Sequence, residues 1–97
     1  MTFQIVYPTQ VKSLMERGDV VLVDIRSRKE YTKGHYSGAV NWCLEEMPDY
    51  EKRFRGNRFY VLYCEHGGSS LQYARELGQK GYRVGSVLGG WEVMQKL

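Results

Sequence analysis

Two apolar runs constrain this chain more than any other feature: Val20-Val21-Leu22-Val23 and Phe59-Tyr60-Val61-Leu62-Tyr63. Neither alternates apolar with polar residues, as a strand with one wet face would. Unbroken apolar runs mark parallel strands buried on both faces. Gly18 stops the helix expected before the first run, and Gly56-Asn57 is a turn signal before the second. Both runs are far too short to span a bilayer.

Around them the chain reads as strands and helices in alternation. Gln4-Ile5-Val6-Tyr7 is a short first strand ended by Pro8. Thr9 is expected to cap a helix running to about Arg17, with Val11, Leu14 and Met15 on one face. Val20 to Asp24 is the second strand, and Ser27 caps a short helix from Arg28 to Lys33 that Gly34 ends. Ala39-Val40-Asn41 is a brief third strand, followed by a polar helical piece over roughly Leu44 to Arg53. Arg58 to Tyr63 is the fourth strand. A helix over Leu71 to Gly81 then leads to a fifth strand, Val84 to Leu88, and a last helix, Trp91 to Lys96. Strands separated by helices argue for a parallel sheet covered on both faces. Such sheets bind ligands at the carboxyl ends of their strands.

The bounds agree with one domain over residues 1–97. A net charge of +3 is mild and implies no nucleic-acid partner, and nothing implies a membrane partner. Met1-Thr2-Phe3-Gln4 lacks the charged start and apolar core of a signal peptide. Two cysteines make no disulfide framework, so the expectation is a cytoplasmic protein with both thiols free.

The chemistry gathers at Cys64-Glu65-His66-Gly67-Gly68-Ser69-Ser70, between the fourth strand and the helix after it. Gly67 and Gly68 let the backbone curl so that several N–H groups face one spot. The helix beginning near Ser69 or Ser70 adds free N–H groups and the positive end of its dipole. Cys64 sits at the mouth of that nest, which favours a thiolate nucleophile. The plainer alternative is a buried core cysteine, which would not need two glycines after it. Cys64 and His66 lack further ligands at zinc spacing, so no metal and no cofactor are expected.

These pieces together resemble the single-domain rhodaneses, a sulfurtransferase family. The resemblance rests on Asp24-Ile25-Arg26 with Glu30-Tyr31, Gly34-His35 and Gly38-Ala39-Val40-Asn41, on the Cys64 loop with Ser70 opening the helix, and on Val87-Leu88-Gly89-Gly90-Trp91. It implies a three-layer α/β/α fold around a five-stranded parallel sheet. It also implies that Cys64 takes a sulfane sulfur from a donor, thiosulfate or a persulfide, and holds it as a persulfide. The sulfur then passes to a thiol or other nucleophilic acceptor, proteins included. The substrate-binding loop would be Glu65, His66, Gly67, Gly68, Ser69 and Ser70. A non-catalytic binding or regulatory module on the same scaffold is the alternative. Cysteine phosphatases and arsenate reductases resemble the fold too, but Ser70 stands where they need an arginine.

The loop departs from the thiosulfate-using pattern. Glu65 follows the cysteine and Ser69 stands where arginine is frequent, which predicts weak thiosulfate activity and favours persulfide donors. His66 either orients substrate or faces water. Arg26 and Glu30 suit an ion pair that holds the strand–helix corner with Asp24 and His35. Lys52, Arg53, Arg55 and Arg58 read as a solvated face, with a docking surface for an acidic partner second. Trp42, Tyr36 and Trp91 either rim the site or pack in the core. Cys43 follows the third strand, and the strand order implied by the resemblance puts the second strand between it and Cys64. Two strand spacings, roughly 10 Å, exceed disulfide reach.

Overall fold

The two runs are neighbouring parallel strands in the computed structural model, which describes residues 3–97. The expectation placed on Met1 and Thr2 lies outside the described residues. Strand β2 is Val20–Asp24 and β4 is Phe59–Tyr63. With β1 (Gln4–Val6), β3 (Val40–Asn41) and β5 (Arg83–Val87) they form a five-stranded sheet in the order β1-β5-β4-β2-β3, every pair parallel. β4 is therefore central.

The absence of alternation in β4 has a direct cause. Tyr60, Leu62 and Cys64 pack into one core cluster, and Phe59, Val61 and Tyr63 into the other. The first cluster lies under helix α3 (Gly68–Gln79) and the turns between β3 and β4. The second lies under α1 (Val11–Met15), α2 (Arg28–Lys33) and α4 (Gly90–Met94). The result is the expected three-layer α/β/α arrangement.

Local chemistry explains where the helices differ from expectation. Ser27 caps α2 as predicted, its hydroxyl accepting from the Glu30 N–H at 3.2 Å. Thr9 does not cap α1. Pro8–Gln10 is a 3-10 turn with proline at its first position, and the Gln10 side chain accepts from the Tyr7 N–H at 2.8 Å. The helix expected over Leu44 to Arg53 is two 3-10 turns, Leu44–Glu46 and Tyr50–Arg53. Pro48 disfavours a helical Met47, which is extended at φ −120° and ψ 92°. Helix α3 begins at Gly68, before Ser69 and Ser70, and stops at Gln79. Its Ala74 and Leu77 are fully buried.

Candidate functional site

Cys64 follows the last residue of β4 on the α3 side of the sheet, and its sulfur meets the backbone that turns into α3. Sγ accepts from the Gly67 N–H at 3.1 Å and from the Ser70 N–H at 3.4 Å. The Ser70 hydroxyl lies 3.5 Å from Sγ. Gly67 makes the turn possible: it stands at φ 102° as the N-cap of α3, a conformation costly for residues with a Cβ. A Cβ there would also come within 3.1 Å of the Gly89 nitrogen. Gly68 is different. Its φ is not positive, and a Cβ would meet nothing within 4 Å. One glycine, not two, shapes the curl.

The loop is clamped from the far side by α4. The Trp91 N–H donates to the Cys64 carbonyl at 2.8 Å and the Glu92 N–H to the Glu65 carbonyl at 3.0 Å. This approach requires glycine at position 90, where a Cβ would sit 2.5 Å from the Cys64 carbonyl oxygen. Below the sulfur, the Ser70 hydroxyl is 2.8 Å from that of Ser86, and both serines are buried. Ser86 escaped the sequence reading because it is a polar residue inside an apolar strand with its partner in another element.

Cys64 opens onto a cleft of about 620 Å³. The Cys64, Glu65 and Ser69 side of the cleft comes from the loop and the start of α3. Gln72, Tyr73 and Glu76 extend it along α3, and Glu45 and Tyr50 face them from the 3-10 turns. Tyr50 and Tyr73 meet edge to face with centroids 5.3 Å apart, and the Tyr50 hydroxyl donates to Glu76 Oε2 at 3.0 Å. Burial, and after it the Glu76 carboxylate, pushes the Tyr50 phenol up. Burial, then Glu45 and Glu76, does the same to Tyr73.

The expected site residues are only partly brought together. His66 is in the loop, but its ring turns outward to Glu92, with Nδ1 3.0 Å from Oε1. Glu65 remains partly exposed to water while its carboxylate takes a bond from Arg26 Nη1 at 3.1 Å. The expected Arg26–Glu30 pair is absent. Arg26 bonds Asp24 at 2.7 Å instead, and Glu30 lies 3.8 Å from Lys33. Burial decides this: Asp24 is 0% exposed and its charge must be matched inside. Burial opposes the Arg26 charge, but its bonds to Asp24 and then to Glu65 outweigh that and raise its pKa. Arg26 also donates to the Gly34 carbonyl at 2.7 Å, tying β2, α2 and the Cys64 loop together.

Trp42 packs on Phe54 and Tyr60, Tyr36 joins the opposite core cluster, and Trp91 stacks on Tyr63 beside Arg26. None of the three lines the Cys64 cleft. The basic residues disperse: Arg53 lies over Trp42 and Arg58 bonds the Gly18 carbonyl. Cys43 and Cys64 are both free, with β2 between their strands. Burial, then Glu46 and Glu45, pushes the Cys43 thiol up. Among the described residues no helix is long and apolar enough to cross a membrane.

A parallel α/β/α sheet with a cysteine loop at the carboxyl end of its central strand defines a class of domains. Within it, residues 7–97 match the rhodanese-like domain family, and the chain belongs to that family. It is 34% identical over 97 residues to the thiosulfate sulfurtransferase GlpE of Pseudomonas aeruginosa, spanning 99% of this chain and 87% of that one. It is 40% identical over 73 residues to a tRNA sulfurtransferase of Desulfurococcus amylolyticus, covering 75% of this chain and 14% of that one. The crystal structure of SSP1007 from Staphylococcus saprophyticus matches with a TM-score of 0.83 at 28% identity, covering 94% of this chain and 92% of that one.

Proposed function

We propose that this domain is a sulfurtransferase that carries a sulfane sulfur as a persulfide on Cys64. The observation that carries the reading is the pair of backbone N–H groups, from Gly67 and Ser70, aimed at Sγ at the base of an open cleft. Backbone donors stabilise an anionic sulfur without placing a competing side chain in the substrate's path. The same donors serve the thiolate that attacks and the thiolate that leaves.

In the first half-reaction the Cys64 thiolate attacks the outer sulfur of the donor. A bond forms between Sγ and that sulfur, and the donor's own S–S bond breaks. Its carrier leaves with the electron pair, as a thiolate from a persulfide or as sulfite from thiosulfate. In the second, an acceptor thiolate attacks the terminal sulfur of the persulfide. The Sγ–S bond breaks, its electron pair returns to Cys64, and the acceptor departs as the new persulfide. No net oxidation occurs, so the cycle needs no cofactor. Both free thiols suit a reducing compartment such as the cytoplasm.

Mass spectrometry before and after exposure to a small persulfide and to thiosulfate tests the reading. Cys64 is expected to gain the mass of one sulfur and lose it to added thiol, and Cys64→Ser to stay folded without gain or transfer. Transfer by Cys64→Ser at the wild-type rate would take the sulfur off Cys64, and a wild type that neither gains nor passes on sulfur would leave a binding module as the better account.

A further inference from the structure

The walls of the Cys64 cleft carry a charge that the sulfur chemistry leaves unused. Three carboxylates line it, Glu45, Glu65 and Glu76, against one guanidinium, Arg26. That guanidinium is not available to a ligand, because Asp24 and Glu65 already hold it at 2.7 and 3.1 Å. Glu65 is thus partly neutralised, while Glu45 and Glu76 are exposed on opposite walls. Among the described residues the neutral Tyr50 hydroxyl is the hydrogen-bond donor to Glu76, and the nearby Lys80 ammonium is bonded to Glu51 at 2.7 Å. The field is felt inside the cleft, where the Tyr73 phenol, buried first of all, is pushed up further by Glu45 and Glu76. The surplus is local, since the chain as a whole carries a net charge of +3.

We propose that Glu45 and Glu76 make the Cys64 cleft select sulfur donors and acceptors that carry positive charge beside the reacting sulfur. The shared chemistry is an ammonium or guanidinium close to a thiol or persulfide. A small amino-thiol has it, and so does a protein cysteine flanked by lysine or arginine. The inference rests on the sulfurtransferase reading for its biology, but the charge preference itself follows from the cleft. Thiosulfate, a dianion, is disfavoured because repulsion scales with ligand charge.

Two arms test this, both at low and high salt and in a Cys43→Ala background. The first measures modification of Cys64 by methanethiosulfonates bearing a trimethylammonium-ethyl or a sulfonato-ethyl group, each rate normalised to a small neutral thiol. This arm needs no sulfur transfer. The cationic reagent should be preferred by about tenfold at low salt, with the preference largely screened at about 0.5 M salt. Glu45→Gln/Glu76→Gln should remove most of it. The second arm measures persulfide transfer from Cys64 to cysteamine, 3-mercaptopropionate and a cysteine peptide flanked by lysines, normalised to a free small persulfide. Cysteamine leading the peptide points to a small-molecule acceptor, and the reverse to a protein. A normalised cation-to-anion ratio at or below unity at low salt, or one unchanged in the double variant, overturns the proposal. If no donor forms a persulfide, the sulfurtransferase reading falls, and the first arm still decides the charge preference.

Discussion

Two corners at the carboxyl ends of neighbouring strands solve opposite electrostatic problems. After β4, Sγ of Cys64 is met by backbone N–H groups, from Gly67 at 3.1 Å and Ser70 at 3.4 Å, with the Ser70 hydroxyl at 3.5 Å. After β2, Asp24 and Arg26 use full charges, buried against each other at 2.7 Å. The two meet where Arg26 reaches Glu65 at 3.1 Å. The difference separates reactivity from rigidity. Backbone dipoles can favour an anion that comes and goes, whereas a buried ion pair fixes a geometry and leaves no charge for a ligand. Arg26 is the cation nearest the cleft, yet it belongs to the framework.

Arg26→Met should break the comparison most strongly. It strands the fully buried Asp24 carboxylate and should cost about 3–5 kcal/mol in chemical denaturation. Asp24→Asn/Arg26→Met should recover a large part of that loss, because the unpaired charge is gone. Equal losses in the single and double variants would show that the guanidinium acts through packing on Tyr63 and Trp91 instead of through its charge.

The backbone corner is probed by its two glycines. Gly67→Ala forces a Cβ into φ 102° and to 3.1 Å from the Gly89 nitrogen. It should cost about 1–3 kcal/mol and slow alkylation of Cys64, since the donors at Sγ move with it. Gly68→Ala, at the first residue of α3 with nothing within 4 Å, should be neutral or stabilising by less than about 1 kcal/mol. Matching effects at the two positions would mean that the curl is shared between them.

This pair also marks how far the sequence could be read. Strand β2, the Ser27 cap and the position of Cys64 were legible because local pattern and tertiary role coincide there. The division of labour between Gly67 and Gly68 was not, because it depends on where α4 presses on the loop. The Arg26 partner was misread for a related reason. Helical spacing favours Glu30, but burial of Asp24 sets the choice, and burial is a property of the assembled sheet. The second cleft wall was illegible too, since Tyr50 and Tyr73 come from different elements that β4 separates along the chain.

Ser86→Ala removes the hydroxyl 2.8 Å from that of Ser70 under the Cys64 loop. Ser70 keeps its bond to the Gly67 carbonyl at 3.3 Å, so it is not left bare. The expected loss is about 1 kcal/mol, read by urea denaturation. A loss as large as that of Arg26→Met would mean that the serine pair anchors this end of the sheet as firmly as the ion pair does.

The smallest effect lies on the second wall, where Glu51 ties the Tyr50–Arg53 turn to the rest of the fold. Its carboxylate accepts from Lys80 Nζ at 2.7 Å and from the Tyr82 hydroxyl at 3.2 Å. The Lys80 bond holds the Glu51 pKa below its ordinary value of 4.5, against a smaller opposing effect of burial, with Tyr82 adding to the lowering. A carboxyl whose pKa falls on folding stabilises the fold above its unfolded pKa. That contribution fades as pH drops below about 4.5 and through the folded value. Asp19, lowered chiefly by its bond to Arg17, fades over the same acid range but holds different partners, Arg17 and Arg83. Both groups are solvated, so each effect is small. Stability measured between about pH 5 and pH 3 should therefore fall less steeply in Glu51→Gln and in Asp19→Asn than in the wild type. Amide exchange at Tyr50 to Phe54 should quicken on acidification in the wild type and in Asp19→Asn. In Glu51→Gln it should already be faster at neutral pH and change less. Identical acid profiles for that turn in all three proteins would detach Glu51 from the wall and leave Tyr50 and Tyr73 as its support.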